Sequence, residues 1–291
     1  MTDVVVVGDV ATDVVVVLSG APAPGSDRPA AIRTGGGGAG ANVAVHLARL
    51  GMPTLLAGCI GEDAAGGALL AELRTAGVRT ALRVAPGTPT ATIVSLVEPG
   101  GQRSMLADRG ANLALLPTDL PALPRGGHLH LSGYTLFDAA PRAAGMAALA
   151  AAVAVGCTIS VDPASTGPLA AYGVDRWLTD TAATTVLLPN ADEARLLTGC
   201  ADVEAAARAL ATRHPVVAVS LGAEGALWAA GAHVVHRPAH PTTVVDTTGA
   251  GDAFAAGLLS AWLTHRDVDP AAALDAGLAL AADIVRRPGA R

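Results

Sequence analysis

Aromatic residues are only 2% of the 291-residue chain, three Trp, two Tyr and two Phe, so rings cannot dominate the core. Packing must rest on Val, Leu and Ala, which suits a Val-rich parallel sheet covered by Ala-rich helices. The same scarcity argues against a deep stacking pocket for a purine nucleoside and leaves Tyr134 and Phe137 as rings that could hold one base. Positive charge is also short: 19 Lys and Arg against 25 Asp and Glu give a net charge of −6, with no basic run. Nucleic acid and anionic membrane are therefore not expected partners. The three cysteines, Cys59, Cys157 and Cys200, lie far apart, with no C-x-x-C and no His pair at metal spacing. They argue for a reducing cytoplasm and against structural zinc. Met1-Thr2-Asp3-Val4 has no basic segment of the signal-peptide kind. One long uncharged run exists, residues 143–161, but its strongly apolar residues amount to about −2 kcal/mol on an insertion scale. It reads as a soluble Ala-rich helix ending near Gly156, followed by a buried strand.

The most informative stretch is Asp246-Thr247-Thr248-Gly249-Ala250-Gly251-Asp252. After it, Ala253 to Arg266 reads as a helix with Phe254, Leu258 and Trp262 on one seam and Leu259 and Leu263 beside it. The small residues Gly249, Ala250 and Gly251 let backbone N–H groups converge at the positive end of that helix, a place that holds an anion. Asp252 puts a carboxylate where only donors are expected, which suits a general base next to developing negative charge. The plainer reading is a helix cap.

Val4–Val7 is a short all-Val strand buried on both faces, closed by Gly8-Asp9. Val14–Leu18 and a weaker strand at 29–33 come before any helix, so they read as a small sheet projecting from the main one. Gly35-Gly36-Gly37-Gly38-Ala39-Gly40 opens a helix from about Ala41 to Leu50. It contains G-x-G-x-x-G, with Glu62 or Asp63 about twenty residues on, but a proline-led polar segment precedes it where a dinucleotide fingerprint needs a buried strand. Four glycines also let backbone approach a small ligand closely, with Asn42 adding side-chain hydrogen bonds. Thr54–Ile60 is the next core strand, then a helix to about Ala76. Ala91–Val97 and Arg103–Leu106 form a hairpin through Glu98-Pro99-Gly100-Gly101-Gln102. Regular alternation follows: strand 128–132, helix 141–155, strands 157–161 and 185–188, helices 191–198 and 202–213, strand 215–220, a hairpin at 225–236 and a last helix at 270–286.

Together these stretches resemble the ribokinase-like, or PfkB, family of carbohydrate and nucleoside kinases. Asp246–Asp252 matches its second signature, D-T-x-G-A-G-D, and Gly37 to Asn42 with the helix to Gly51 is similar to its first. Gly58–Asp63, Arg109-Gly110-Ala111-Asn112, Asn190–Glu193 and Ser220-Leu221-Gly222 extend the resemblance over essentially the whole chain. It implies one α/β kinase domain over 1–291, a three-layer α/β/α sandwich around a mostly parallel sheet, with a β lid from about 12–34 and 88–107. It also implies transfer of the ATP γ-phosphate to a primary hydroxyl, with Asp252 as base and the Gly249, Ala250 and Gly251 amides holding the transferred charge. Asp13, the Gly38 amide and Asn42 would grip the sugar, and Thr90, Thr92, Arg103 and Arg109 are lid candidates for specificity. Asn190 and Glu193 match N-x-x-E, which organises Mg²⁺ through water. Ser220, Gly222 and Gly225 would lie under ATP. Members that need K⁺ ligate it near Asp246 and the Thr248 carbonyl, together with the loop after the last helix. No Walker A motif is present, and the family uses none. Ala39 replaces the Lys of ribokinase's own first signature.

A free sugar or a ribonucleoside such as pseudouridine is the expected substrate, since Arg103 and Arg109 are too few for a phosphosugar cluster. A homodimer through 14–18 and 91–106 is expected from lid edges. Two other classes compete: a catalytically silent sugar sensor, which has no need of Asp252, and a dinucleotide-dependent oxidoreductase, which leaves Asp252 idle.

Overall fold

The computed structural model describes residues 2–21, 24–98, 103–265 and 268–291, with the backbone alone at Arg103. The hairpin turn at 99–102 and the last residue expected in the helix after Asp252, Arg266, lie outside the described residues.

Four β-branched residues in a row make β1, Val4–Val7, fully buried. Their side chains alternate between the two faces: Val4 and Val6 join one core, Val5 and Val7 the other. After β1 come β2 (Ala11–Leu18), β3 (Ala30–Gly37), α1 (Ala39–Arg49), β4 (Thr54–Gly61), α2 (Ala64–Thr75), β5 (Arg79–Ala85), β6 (Ala91–Val97) and β7 (Arg103–Asp108). The second half holds β8 (His128–Ser132), α3 (Tyr134–Phe137), α4 (Ala139–Val155), β9 (Thr158–Asp162), α5 (Thr166–Tyr172), α6 (Val174–Asp180), β10 (Val186–Leu187), α7 (Ala191–Thr198), α8 (Val203–Leu210), β11 (Val216–Ser220), β12 (Ala226–Ala230), β13 (His233–Arg237), α9 (Ala250–Thr264) and α10 (Pro270–Ile284).

Nine strands form the main sheet in the order β13-β12-β11-β10-β9-β8-β1-β4-β5. All neighbours are parallel except at β12, which runs antiparallel to β11 and β13. α1, α2, α9 and α10 cover one face and α4 to α8 the other, giving the three layers. The uncharged run resolves as expected, into α4, a left-handed Gly156 and β9. Among the described residues no helix is long and apolar enough to cross a membrane.

The second sheet, β3-β2-β6-β7, is the small one. β3 runs on through the glycines to Gly37, with Gly35 opposite Asp13 and Gly37 opposite Ala11. The G-x-G-x-x-G match therefore starts in an exposed lid strand, which removes the dinucleotide fingerprint. Four elements lie outside the sequence expectation, β5, α5, α6 and the four-residue α3. β5 is an edge strand interrupted by Arg79 and Arg83, and α5 and α6 are one-face helices of seven residues each, too short for a periodic signal.

Leaving β1, the chain passes through the lid to β4 on one side, while β8 sits on the other. The order reverses at the carboxyl end of β1, the position where open α/β sheets bind ligands.

Candidate active site

At that switch point a cavity of about 790 Å³ opens between the main sheet and the lid. Its floor is built by residues at strand ends, Asp9 after β1, Tyr134 after β8 and Asp162 at the end of β9, and its roof carries Ile93, Met105 and Ala107 of the lid. A smaller cavity of about 170 Å³ is lined by Asp162, Asn190, Glu193 and Ser220. Gly249, Asp252, Asp162 and Ala164 belong to both walls, so the start of α9 stands where the two cavities meet.

Gly249 begins α9 at φ 75° with no side-chain cap, and a Cβ there would lie 2.6 Å from the Ala290 carbonyl oxygen. Only glycine fits both constraints. Asp252 is thus three residues inside the helix and does not cap it, which corrects the plainer reading. Its Oδ2 accepts from Asn42 Nδ2 at 2.8 Å. Burial, followed by the hydrogen bond from Asn42 acting the other way and the charges of Asp162 and Asp13, leaves its pKa raised to about 8. The Ala250 amide donates to the Thr247 carbonyl at 3.2 Å.

Asn42 is 4% exposed and lines the large cavity. While its amide nitrogen holds Asp252, its Oδ1 has no partner. A buried acceptor left open is costly, so this oxygen is poised for a ligand hydroxyl. α1 presents it there because Gly40 lets the helix start press onto β1: a Cβ at Gly40 would come within 2.7 Å of Gly8 Cα. Asp13 also lines the large cavity, together with Gly38. Its carboxyl lies on Gly37, where a Cβ would meet it at 2.1 Å, and burial raises its pKa to about 6, with Arg291 pulling the other way.

Asn190 and Glu193 form a reciprocal cap on α7: Asn190 Oδ1 accepts from Glu193 N and Glu193 Oε2 accepts from Asn190 N, both at 2.9 Å. The pair does begin a helix, yet Glu193 is only 2% exposed, so it does not line an exposed one. Burial and then the Asp162 charge push its pKa up to about 8, and Asp162 is itself raised to about 6 by burial. The wall of the small cavity carries Asp162, Glu193 and Asp252 and no cationic side chain. Crowded, desolvated carboxylates of this kind fit a divalent cation, whose charge would lower all three pKa values.

Several expected residues stand elsewhere. Thr90 is 5% exposed and off the cavity wall: its Oγ1 donates to Asp63 Oδ1 at 2.6 Å and accepts from Gly61 N at 2.9 Å, so it ties the lid root to α2. Arg109 does line the cavity, but its two terminal nitrogens are taken by Asp9 (2.9 and 3.1 Å), Asp138 (2.6 Å) and the Tyr134 carbonyl (3.0 Å), while its buried Nε has no partner. Gly222 and Gly225 line neither cavity and close the turn from β11 into β12, where a Cβ on Gly225 would strike the Arg237 carbonyl. Asp246 lines neither as well: Thr248 N and Oγ1 donate to its Oδ1 at 2.9 and 2.7 Å and Gly289 N to its Oδ2 at 3.0 Å. It locks the signature turn to the 288–291 loop.

Sequence reasoning missed Asp9, Asp162 and Arg291. Asp9 and Asp162 each follow a buried Val-rich run, at Val7-Gly8-Asp9 and Val161-Asp162, and that strand-end placement was the available signal. Arg291 could not be found this way. Its side chain is 2% exposed, with Nε 3.0 Å from Glu72 Oε1, and its charge pulls the pKa of Asp13 and Asp252 down. Ala164, the one described non-glycine with positive φ (73°), is held by its N–H to Asp162 Oδ1 at 2.7 Å. Strain of that sort concentrates at working sites.

The match to the pfkB family carbohydrate kinase model runs over residues 1–291, and the chain belongs to that family. It is 35% identical to a fructokinase of Klebsiella pneumoniae over 255 residues, 84% of this chain and 82% of that protein. It is 34% identical to an ATP-dependent ribose-1-phosphate kinase of Halopiger xanaduensis over 282 residues, 92% of this chain and 87% of the relative. Among solved structures it matches an aminoimidazole riboside kinase of Salmonella enterica, complexed with aminoimidazole riboside and an ATP analogue, at TM-score 0.81 and 29% identity, covering 99% of this chain and 95% of that one. The protein is an ATP-dependent sugar or nucleoside kinase of ribokinase-like fold.

Proposed function

We propose that the chain moves the ATP γ-phosphate onto a primary hydroxyl of a free sugar or ribonucleoside bound in the large cavity, with Asp252 as the base. The observation that carries this is the position of Asp252 and Gly249 in the wall common to both cavities. A sugar whose other hydroxyls are gripped by Asp13, Gly38 and the open Asn42 Oδ1 lies on one side, and phosphates near Asn190, Glu193 and Ser220 on the other.

Transfer of a phosphoryl group asks little covalent chemistry of a protein, so alignment and charge stabilisation supply most of the rate. Asp252 takes the hydroxyl proton as the oxygen attacks. Asn42 keeps the carboxylate aimed by holding Oδ2. The Gly249 and Gly251 amides, at the positive end of α9, meet the charge on the transferred group. Mg²⁺, when bound, screens the phosphate charge; Glu193 and Asp162 would hold it, largely through water.

The catalytically silent sensor fits less well. A binder has no use for a buried carboxylate whose pKa is raised to about 8. Three free cysteines support work in a reducing, cytoplasmic setting, and exposed apolar residues on the lid support a homodimer.

The test is ADP release with Mg-ATP across free sugars, phosphosugars and ribonucleosides, with Asp252→Asn alongside. One compound should turn over in the parent and fall by about a thousandfold or more in the variant, the scale of losing an aligned base together with its charge. Near-normal turnover in Asp252→Asn removes the base assignment.

A further inference from the structure

Three of the four Tyr and Phe residues of the chain, Tyr134, Phe137 and Tyr172, stand on one wall of the large cavity. They form a chain of edge contacts, with centroids 6.0 Å apart from Tyr134 to Phe137 and 6.1 Å from Phe137 to Tyr172. Arg142 and Arg176 each stand 4.7 Å from the Tyr172 centroid, and Arg109 stands 5.5 Å from that of Tyr134. Phe137 and Tyr172 rest on the buried core of that side of the sheet, and in a protein so poor in rings all three also line the cavity.

The arginines do not make this wall a phosphate site. Arg109 is used by Asp9 and Asp138. Arg142 donates to the carbonyls of Leu136 and Phe137, both at 2.7 Å. Arg176 is paired with Asp180 at 3.5 Å, and Asp180 also accepts from the Tyr172 hydroxyl. Five aspartates against three arginines line the whole cavity, so its wall offers no excess of positive charge to a substrate carrying its own phosphate. Size points the same way. Pockets for drug-sized ligands run to about 300–1,000 Å³, and a cavity of about 790 Å³ leaves most of its volume unfilled by one sugar ring held at Asp13 and Asn42.

Resting on the kinase reading above, we infer that the acceptor is an uncharged pentose bearing a flat heterocycle: the sugar sits at Asp13, Gly38 and Asn42, and the base lies along the wall of Tyr134, Phe137 and Tyr172. The wall begins next to the reacting end, because the Tyr134 hydroxyl is hydrogen-bonded with Ser165 and feels the charges of Asp162 and Asp252. Arg142 ties α3 in place through its two carbonyl contacts, so the rings are fixed before the ligand arrives. Stacking of this type is sequence-tolerant among bases. The specificity therefore separates nucleosides from free sugars and phosphosugars more sharply than one base from another.

The experiment measures kcat/KM with Mg-ATP for adenosine, uridine and pseudouridine, for ribose and fructose, and for ribose 1-phosphate and fructose 1-phosphate. Phe137→Leu, which keeps an apolar side chain, is run beside the parent. A nucleoside should exceed every sugar and phosphosugar by about tenfold or more. Phe137→Leu should raise the KM for that nucleoside about tenfold with kcat held, and should cost ribose turnover distinctly less. A free hexose or a phosphosugar as the preferred acceptor, or equal losses for nucleoside and ribose in Phe137→Leu, overturns the inference and leaves the transfer reaction standing. If instead a nucleoside is preferred yet Asp252→Asn turns over normally, the base assignment falls and the acceptor class stands.

Discussion

A carboxylate that is to take a proton from an alcohol gains from being desolvated, but the folded protein pays to ionise it. Asp252 shows both sides, with its pKa raised to about 8 chiefly by burial. The sign follows from comparing states. Below the ordinary carboxyl range the group is neutral folded and unfolded alike. Between about pH 4 and 8 the unfolded chain releases the proton while the folded one retains it, so stability falls as pH rises, levelling off above the folded pKa. Asp252→Asn removes this penalty and keeps an acceptor for Asn42. It should melt higher than the parent near pH 8, by roughly 3–8 °C, and about the same near pH 4. A calorimetric scan at both pH values checks it; a lower melting point near pH 8 would mean that the carboxylate stabilises the fold. Activity runs oppositely, since kcat/KM reports the free enzyme and should climb with pH until about the Asp252 pKa. Asp162 and Glu193 are raised too, to about 6 and about 8, and must lose protons to hold a cation. Mg²⁺ with ADP should therefore raise the melting temperature more near pH 8 than near pH 5. At Asp13 the cost lies in binding: Asp13→Ala should raise the sugar-side KM at least tenfold while leaving the KM for ATP within about twofold.

The elements decide whether these side chains meet. α1 carries Asn42 to Asp252 only because its first turn lies on the end of β1 at Gly40 and Gly8. Gly40→Ala sets a Cβ against backbone that cannot yield, and should cost about 2–3 kcal/mol together with a fall in kcat as Asn42 leaves Asp252; denaturant melts and steady-state kinetics on one preparation would show both. Much of this scale was readable. The Val4–Val7 run, the Asp246–Asp252 turn and the α/β alternation from residue 128 all carry signals that are local in sequence. What was not readable is convergence. Thr90 sits in a lid segment and was expected at the substrate, but Asp63, 27 residues away in sequence, claims its hydroxyl and amide. Arg109 was expected to be available, but Asp9 arrives from the end of β1 and Asp138 from the start of α4. Tyr172 and Arg176 reach the cavity on α5 and α6, helices too short to betray a buried face. Such pairings are set by tertiary closure, which one sequence does not display.

For the whole molecule the open question is what covers the lid. Its sheet ends in two edge strands, β3 and β7, and open edges pair unless charge or proline blunts them. β3 begins Ala30-Ala31-Ile32 without a charge, and Ile32 is 63% exposed. Met105 and Leu106 on β7 are 62% and 57% exposed, and Val17 on β2 is 46% exposed. A surface this apolar, in a chain whose charge otherwise lies outside, is expected to be covered by the same lid of a second copy, with self-complementary pairing about a twofold axis. The large cavity is roofed by Ile93, Met105 and Ala107, so pairing would also stiffen the roof over the acceptor. Sedimentation of the parent should give a dimer at micromolar concentration. Ile32→Lys, at a position outside both cavities, should shift it to monomer and raise the acceptor KM more than the KM for ATP. A parent that stays monomeric at the highest concentration reached would show that the lid works alone. A monomeric Ile32→Lys with an unchanged acceptor KM would separate the dimer from the roof, leaving pairing as a matter of edge protection.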